Sequence, residues 1–338
     1  MVNKIFIFNA SNAKPGGCEG LYQLEDKLLK LGHDAYMVFI PSSENPVPDI
    51  FKKYNVKIAQ EVEDDKDNVL ITPECWISKL TPYKNIQKAI YWLSVEHAER
   101  TISTTALSTN SKYPKLKKIP GLRKTYTTLY KFFKTINFKD ENLLHLAPCA
   151  YPIDYLQKEG LYNIYPVADY AYTLQNLRTN PLFERKSGKY RENNILYNPK
   201  KNGRFLKKII NKSPQFNWIK IEKLTPDGVL ELMTKSKVYI DFGYHPGKER
   251  MPREAIVCGC CVIVGKKGTA KYFQDVPILN KYKFDFERKE IKKIIATIQD
   301  CLDNYDERIK EFETYRRITE MQEENMEFNI RQLFGDKR

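Results

Sequence analysis

The sequence predicts an α/β chain of two Rossmann-like domains, and three observations carry that reading. At 338 residues the chain exceeds what one hydrophobic core usually serves, so two domains of about 150 residues are expected. A strand, loop, helix, strand pattern opens the chain and restarts near residue 194. No apolar run reaches the roughly 18 residues that a membrane span needs. The domains are placed at 1–175 and 190–304, with a helical segment at 305–338.

The first half begins with KIFIFN at 4–9 as a buried strand, AKPGGCEG as a loop, a helix near 19–31 stopped by Gly32, and DAYMVFI as the next strand. Gly16 and Gly17 allow another group to approach the backbone closely where that helix starts, although a plain tight turn would use the same residues. Two further strands, NVLITPE at 68–74 and KAIYWLSVEH at 88–97, end in polar groups. Ligands of open parallel sheets bind beyond the carboxyl ends of strands, so Glu74, Glu96 and His97 are candidates for chemistry, with Glu96 the preferred base. Ordinary surface charges would give the same residues. His33, in a helix-to-strand turn, and His145, in the apolar run LLHLAPCAY, are structural by comparison.

The formal net charge of +14 is concentrated. Residues 111–139 hold nine Lys or Arg and no acid, interleaved with Tyr and Phe. Leu122, Tyr126, Leu129, Tyr130 and Phe133 follow helical spacing and leave Lys124, Lys131 and Lys134 to another face, so the stretch reads as a basic amphipathic insertion. It suits an anionic membrane surface, and equally a helix docked on its own domain with a solvated basic face.

The polar, proline-bearing segment 171–192 is read as the interdomain linker or an ordered crossing. NILYN at 194–198, a PKKNG loop, the helix RFLKKIINKS, the strand NWIKI, a helix capped by Thr225-Pro226 and the strand KVYIDF then give a β-α-β-α-β series. Gly243, Pro246 and Gly247 break the last strand into a loop carrying His245, Lys248 and Arg250. Pro252 suits a first helical position and Gly259 a left-handed stop, which puts Glu254 in the first turn of a short helix before the strand Cys260–Val264. Helix N–H groups, two cations and a helix-borne carboxylate at one strand end suit a nucleoside diphosphate. From residue 289 a helical stripe of Ile291, Ile294, Ile295, Ile298 and Leu302 is a core face, and another runs through Phe312, Tyr315 and Ile318 to Leu333 and Phe334.

The segment from the strand at 238–240 through the glycine turn, Lys-x-Arg, Pro-Arg-Glu-Ala and Gly259 resembles the donor-binding segment of GT-B glycosyltransferases, especially the family 4-like enzymes of bacterial surface polysaccharide clusters. That resemblance implies two Rossmann-like domains facing across a cleft, a carboxyl half that binds a nucleotide-sugar, an amino half that binds a glycan or lipid-linked acceptor, and a last helix crossing back to the first domain. It implies that Glu254 holds the ribose hydroxyls, that Lys248, Arg250, Lys200 and Arg204 hold the diphosphate, and that Gly243 and His245 line the donor site. Gly16 and Gly17 resemble the glycine loop of the acceptor domain. Catalysis would then fall to Glu96, His97, Lys248 and Arg250, without a metal or other cofactor. One departure stands out: the glutamate eight positions upstream of Glu254 in related retaining enzymes is here Pro246, which leaves its sugar-facing role to Asp241, to His245 or to neither.

Other classes fit less of the chain. Nucleic-acid binding through 111–139 explains the charge but not the second half. A nucleotide-sugar epimerase or hydrolase would share the fold. No G-x-G-x-x-G follows either opening strand, which argues against a dehydrogenase. Asp65-Lys66-Asp67 reads as a solvated loop rather than a metal motif. Cysteines at 18, 75, 149, 258, 260, 261 and 301 lack paired C-x-x-C spacing, and the amino-terminal apolar run is too short for a signal peptide. The expected location is the cytoplasm, peripherally at the inner face of the cell membrane.

Overall fold

The structure, a computed structural model, describes residues 2–14, 16–98, 137–171 and 188–336. Most of the basic insertion, including Lys124, Lys131 and Lys134, and most of the 171–192 segment lie outside the described residues. The chain divides into two compact units, Met1–Asp169 with Met326–Arg338, and Tyr170–Asn325.

The first unit is built on six parallel strands, β1 (Lys4–Ala10), β2 (Asp34–Ile40), β3 (Val69–Pro73), β4 (Gln87–Tyr91), β5 (Leu144–Ala147) and β6 (Ile164–Pro166), ordered 2-1-3-4-5-6. Strands buried on both faces read as continuous apolar runs, as in FIF at 6–8 and VLI at 69–71. Helix α1 (Gly16–Lys30) crosses from β1 to β2, and α2 (Ala150–Lys158) from β5 to β6. The strand expected over 88–97 is shorter: the Trp92 N–H still bonds Leu146 O of β5 at 2.8 Å, but that of Leu93 turns away to the Glu74 carboxyl at 3.0 Å. The chain then bends, and residues 95–98 are helical. The ring of His145 is fully used, accepting from Trp92 Nε1 at 3.1 Å and donating from Nε2 to Phe138 O at 3.0 Å. Burial lowers its pKa, which fits this neutral tautomer.

One carboxyl group of α1 makes stability of this unit depend on pH. Glu25 is buried, and burial raises it to about 8 although the N–H groups of Lys57 and Met37 pull the other way. Its folded form keeps a proton that the unfolded chain has released above a glutamate's ordinary 4.5. The contribution is therefore complete below about 4.5 and is lost as pH climbs to about 8. Urea denaturation should show wild type losing stability between pH 5.5 and 8.5 by on the order of 2 kcal/mol more than Glu25→Gln does. Equal losses in the two proteins would contradict this.

The second unit has five parallel strands, β7 (Glu192–Tyr197), β8 (Asn217–Lys220), β9 (Ser236–Asp241), β10 (Cys261–Gly265) and β11 (Lys283–Phe284), in the order β11-β10-β9-β7-β8. Between them run α3 (Arg204–Asn211), α4 (Pro226–Lys235), capped by Thr225 Oγ1 accepting the Gly228 N–H at 3.1 Å, and α5 (Arg250–Val257). Helix α6 (Ile291–Asp303) covers the sheet with Ile291, Ile294, Ile298 and Leu302. The linker's last residues are structural, since buried Arg191 donates to Ser236 O at 2.7 Å and Cys258 O at 2.6 Å, beside the ends of α4 and α5.

Two helical segments differ from what the sequence predicts. Helix α5 starts at Arg250, so Pro252 is its third residue and Glu254 lies in the second turn; the first four N–H groups of a helix have no partner in any case, so a proline there loses nothing. The segment 305–334 is not one helix but α7 (Tyr305–Arg308), a 3-10 turn at Ile309–Phe312, α8 (Glu313–Glu320) and α9 (Gln322–Phe334). Phe312 and Met321 leave helical geometry with ψ of 1° and 0°. Only residues from Met326 onward belong to the first unit, where the Lys27 ammonium lies 3.8 Å from Glu327 and His33 Nε2 bonds Gly335 O at 3.0 Å.

Candidate functional site

Doubly wound sheets open a crevice where neighbouring strands send their connections to opposite faces, and ligands bind there beyond the carboxyl ends. In the second unit that point lies between β7 and β9. The loop after β7 carries Lys200, Lys201 and Asn202, and the loop after β9 carries residues 242–249. They are stitched together: Asn202 Oδ1 accepts the Phe242 N–H at 2.6 Å, and a Cβ on Gly243 would stand 3.0 Å from Lys201 Cβ and 2.8 Å from Asp241 Oδ1. Gly243 is thus required by the close approach of two loops.

Asp241 ends β9 inside the fold, accepting from the Gly243 N–H at 2.7 Å and the Tyr239 hydroxyl at 3.0 Å. Burial pushes its pKa up, and His245, the Gly243 N–H and the Tyr239 hydroxyl outweigh it, holding Asp241 below its ordinary value. His245 Nε2 is 3.4 Å from Asp241 Oδ1, and neither nitrogen of this fully buried ring has a hydrogen-bond partner among the described residues. The His245 carbonyl accepts the Thr269 N–H at 2.9 Å, and Thr269 Oγ1 donates to Gly247 O at 3.0 Å, which lays the 245–247 loop against Gly268.

The charged groups gather just beyond. Arg250 Nε lies 2.9 Å from Glu254 Oε1, with the Arg250 side chain 47% exposed and that of Glu254 only 4%. Lys201 pairs with Glu249, the residue that precedes α5. Burial lowers the Lys201 pKa and the Arg250 charge adds to that, while Asp241 opposes. Lys201, Lys200 and Arg204 are all exposed, and of the three it is Lys201 that reaches Glu249 and feels the charges of Asp241 and Arg250, whereas the sequence places the diphosphate-binding role at Lys200 and Arg204. A second group absent from that reading is Arg253. Its buried guanidinium donates to Glu249 O at 3.0 Å, Lys248 O at 2.9 Å and Gln322 Oε1 at 2.8 Å, fixing the backbone that presents Lys248 and Arg250.

In the first unit the corresponding point lies between β1 and β3. Gly16 and Gly17 open α1 there; a Cβ would meet nothing within 4 Å at Gly16 and only Leu93 Cδ1, at 3.5 Å, at Gly17. Glu74 follows β3 directly and is buried, while His97 is exposed with Nδ1 4.0 Å from Glu74 Oε1. Glu96 accepts a short hydrogen bond from the Tyr151 hydroxyl. Among the described residues no group of three or more His, Cys, Asp or Glu side chains is arranged to hold a metal.

No family model matches the chain, and no curated protein does. Solved structures do. HepE of Anabaena, in complex with UDP and glucose, superimposes with a TM-score of 0.62 at 9% identity over 98% of each chain. A glycosyltransferase from Rickettsia africae gives 0.58 at 14% identity over 98% of this chain and 99% of that one. WaaG, a glycosyltransferase involved in lipopolysaccharide biosynthesis, gives 0.56 at 12% identity over 96% and 98%. With two parallel-sheet α/β units and these matches along nearly its whole length, the chain has the GT-B fold.

Proposed function

We propose that this protein is a glycosyltransferase that moves a sugar from a nucleoside-diphosphate sugar to a glycan or lipid-linked acceptor in cell-surface polysaccharide synthesis. The observation that carries the reading is the second unit's crevice, where Lys201, Arg250, Glu254 and the Asp241–His245 pair converge at the carboxyl ends of β7 and β9. The donor chemistry accords with what the matched structures contain, since HepE holds UDP and glucose. The acceptor class follows the lipopolysaccharide role of WaaG and the basic stretch 111–139, which would meet an anionic membrane surface from the cytoplasmic side.

In this reading Glu254 accepts hydrogen bonds from the ribose hydroxyls, and Lys248, Arg250, Lys201 and, further out, Lys200 and Arg204 hold the diphosphate. Negative charge grows on the diphosphate as the sugar leaves, and preorganised cations stabilise it without a metal. His245, whose ring is fully buried, serves through its backbone, which seats the 245–247 loop that leads into Lys248 and Arg250. On the acceptor side His97 replaces Glu96 as the favoured base, because Glu96 is engaged by Tyr151 whereas the His97 ring is exposed.

Glu254→Ala should weaken nucleoside diphosphate binding about tenfold to a hundredfold, the worth of a charged hydrogen bond. Arg250 is half-exposed and can hydrate when its partner is lost, so the fold should survive. Calorimetry of wild type against UDP, GDP, dTDP and CMP identifies the base, and the variant is then titrated with the nucleotide that binds. Unchanged affinity would remove Glu254 from the site, and no heat from any of the four would remove the donor assignment.

A further inference from the structure

We propose that Glu74 is a positioning residue that stands behind His97: one carboxyl oxygen holds the 92–98 turn in shape, and the other faces the imidazole and couples its protonation to that of the buried acid. The chemical use of the pair rests on the glycosyl transfer proposed above, but its existence does not.

The geometry has three parts. Glu74 directly follows β3, and its side chain is 3% exposed. Its Oε2 accepts the Leu93 N–H at 3.0 Å, and the Ser94 N–H also bonds the carboxyl. Those two amides begin the turn that carries Glu96 and His97, and the turn closes on itself through the His97 N–H to Ser94 Oγ at 3.3 Å and the Ala98 N–H to Ser94 O at 3.1 Å. Glu74 Oε1 is left 4.0 Å from His97 Nδ1, while the His97 side chain is 60% exposed. At 4.0 Å the two groups are too far apart for a hydrogen bond but close enough for a charge on one to be felt by the other.

Other groups around Glu74 sharpen the signal. Burial raises its pKa to about 8 against the pull of the backbone amides, and the nearby Glu96 carboxylate adds to the rise. Among the described residues Cys18 on α1 and Cys75 beside it are, with Glu96 and His97, the titratable groups that interact with Glu74. Burial pushes the Cys75 thiol up to about 12 and raises Cys18 above its ordinary 9.0, so neither ionises near 8. Among the described residues a step near pH 8 at this site is therefore assigned to Glu74. A proton leaving Glu74 places a full negative charge 4.0 Å from the ring.

The test is NMR of protein labelled at the histidine ring carbons. With four histidines in the chain, the His97 signal is assigned by its loss in His97→Gln. Wild type should show an inflection of the His97 signal near pH 8, and Glu74→Gln should abolish it while keeping the fold, because the amide oxygen still accepts the Leu93 and Ser94 N–H groups. No inflection near pH 8 in wild type, or one that persists in Glu74→Gln, overturns the proposal. If Glu74→Gln does not fold, Glu74→Asp serves instead: withdrawing the carboxyl should shrink the inflection, and a signal unchanged from wild type overturns the coupling. Because the readout is independent of turnover, it can succeed where the transferase reading fails. If both hold, Glu74→Gln should lower kcat about tenfold or more, leave the donor KM unchanged and remove the limb of the pH–rate profile near 8.

Discussion

Replacing Arg253 by alanine should destabilise the second unit by about 3 to 5 kcal/mol, more than most single substitutions do. Among the described residues it is the largest fully buried side chain, and its guanidinium donates in different directions to the Lys248 and Glu249 carbonyls and to Gln322 Oε1. Truncation strands all three and leaves a cavity, so the desolvation penalty of each acceptor adds to the lost packing. For a unit of this size the expected fall in Tm is roughly 6 to 20 °C. Arg253→Lys keeps the charge but has a single nitrogen for three divergent acceptors, so it should fall between the two. Nucleotide affinity should drop as well, because the Lys248 and Glu249 backbone leads into α5 at Arg250. A Tm within about 2 °C of wild type would mean that the guanidinium does not hold this turn.

Arg253 also marks where the sequence stops being readable. Its neighbours in Pro-Arg-Glu-Ala are read for local reasons, since a proline at a helix start and a carboxylate one turn in have meanings fixed by helix geometry. The role of Arg253 depends on Gln322, 69 positions away, and nothing local signals it. The same limit separates Lys200 from Lys201. Periodicity says nothing about which of two adjacent, exposed loop lysines reaches Glu249, and only the packing of this loop against Gly243 decides it. The centres of β9 and β10 were legible because strands covered on both faces carry continuous apolar runs, VYI at 238–240 and CVIV at 261–264, and Gly259 was legible because a helix stop at φ of 90° selects glycine. Pro252 set the helix start two residues late because a proline is tolerated anywhere in the first turn, not only at its first position. In the first unit, strand order alone brought Glu74, Glu96 and His97 to one edge. Their different surroundings, a buried acid, a tyrosine-bound acid and an exposed imidazole, come from where the chain bends after Tyr91.

Gly268→Ala should be the other severe substitution, and it tests whether the loop that carries His245 is held from behind. Gly268 has φ of 59° and ψ of −135°, a region that side-chain-bearing residues rarely enter. A Cβ there would lie 1.8 Å from the His245 carbonyl oxygen and 2.6 Å from its carbon, so the two backbones must separate. Separation breaks the Thr269 N–H bond to His245 O and the Thr269 hydroxyl bond to Gly247 O, which are the contacts that seat residues 245–247. Backbone strain, steric displacement and lost hydrogen bonds together should cost at least about 3 kcal/mol. Nucleoside diphosphate affinity should fall about tenfold or more, because the displaced segment leads directly into Lys248 and Arg250. Gly203→Ala is the control: a Cβ there meets nothing within 4 Å, and its place before α3 predicts a loss under about 1 kcal/mol. Thermal denaturation and calorimetry on the two variants separate the outcomes. Equal stability would show that the 268–269 turn yields freely. A destabilised Gly268→Ala that still binds nucleotide with wild-type affinity would place the donor site away from the His245 loop.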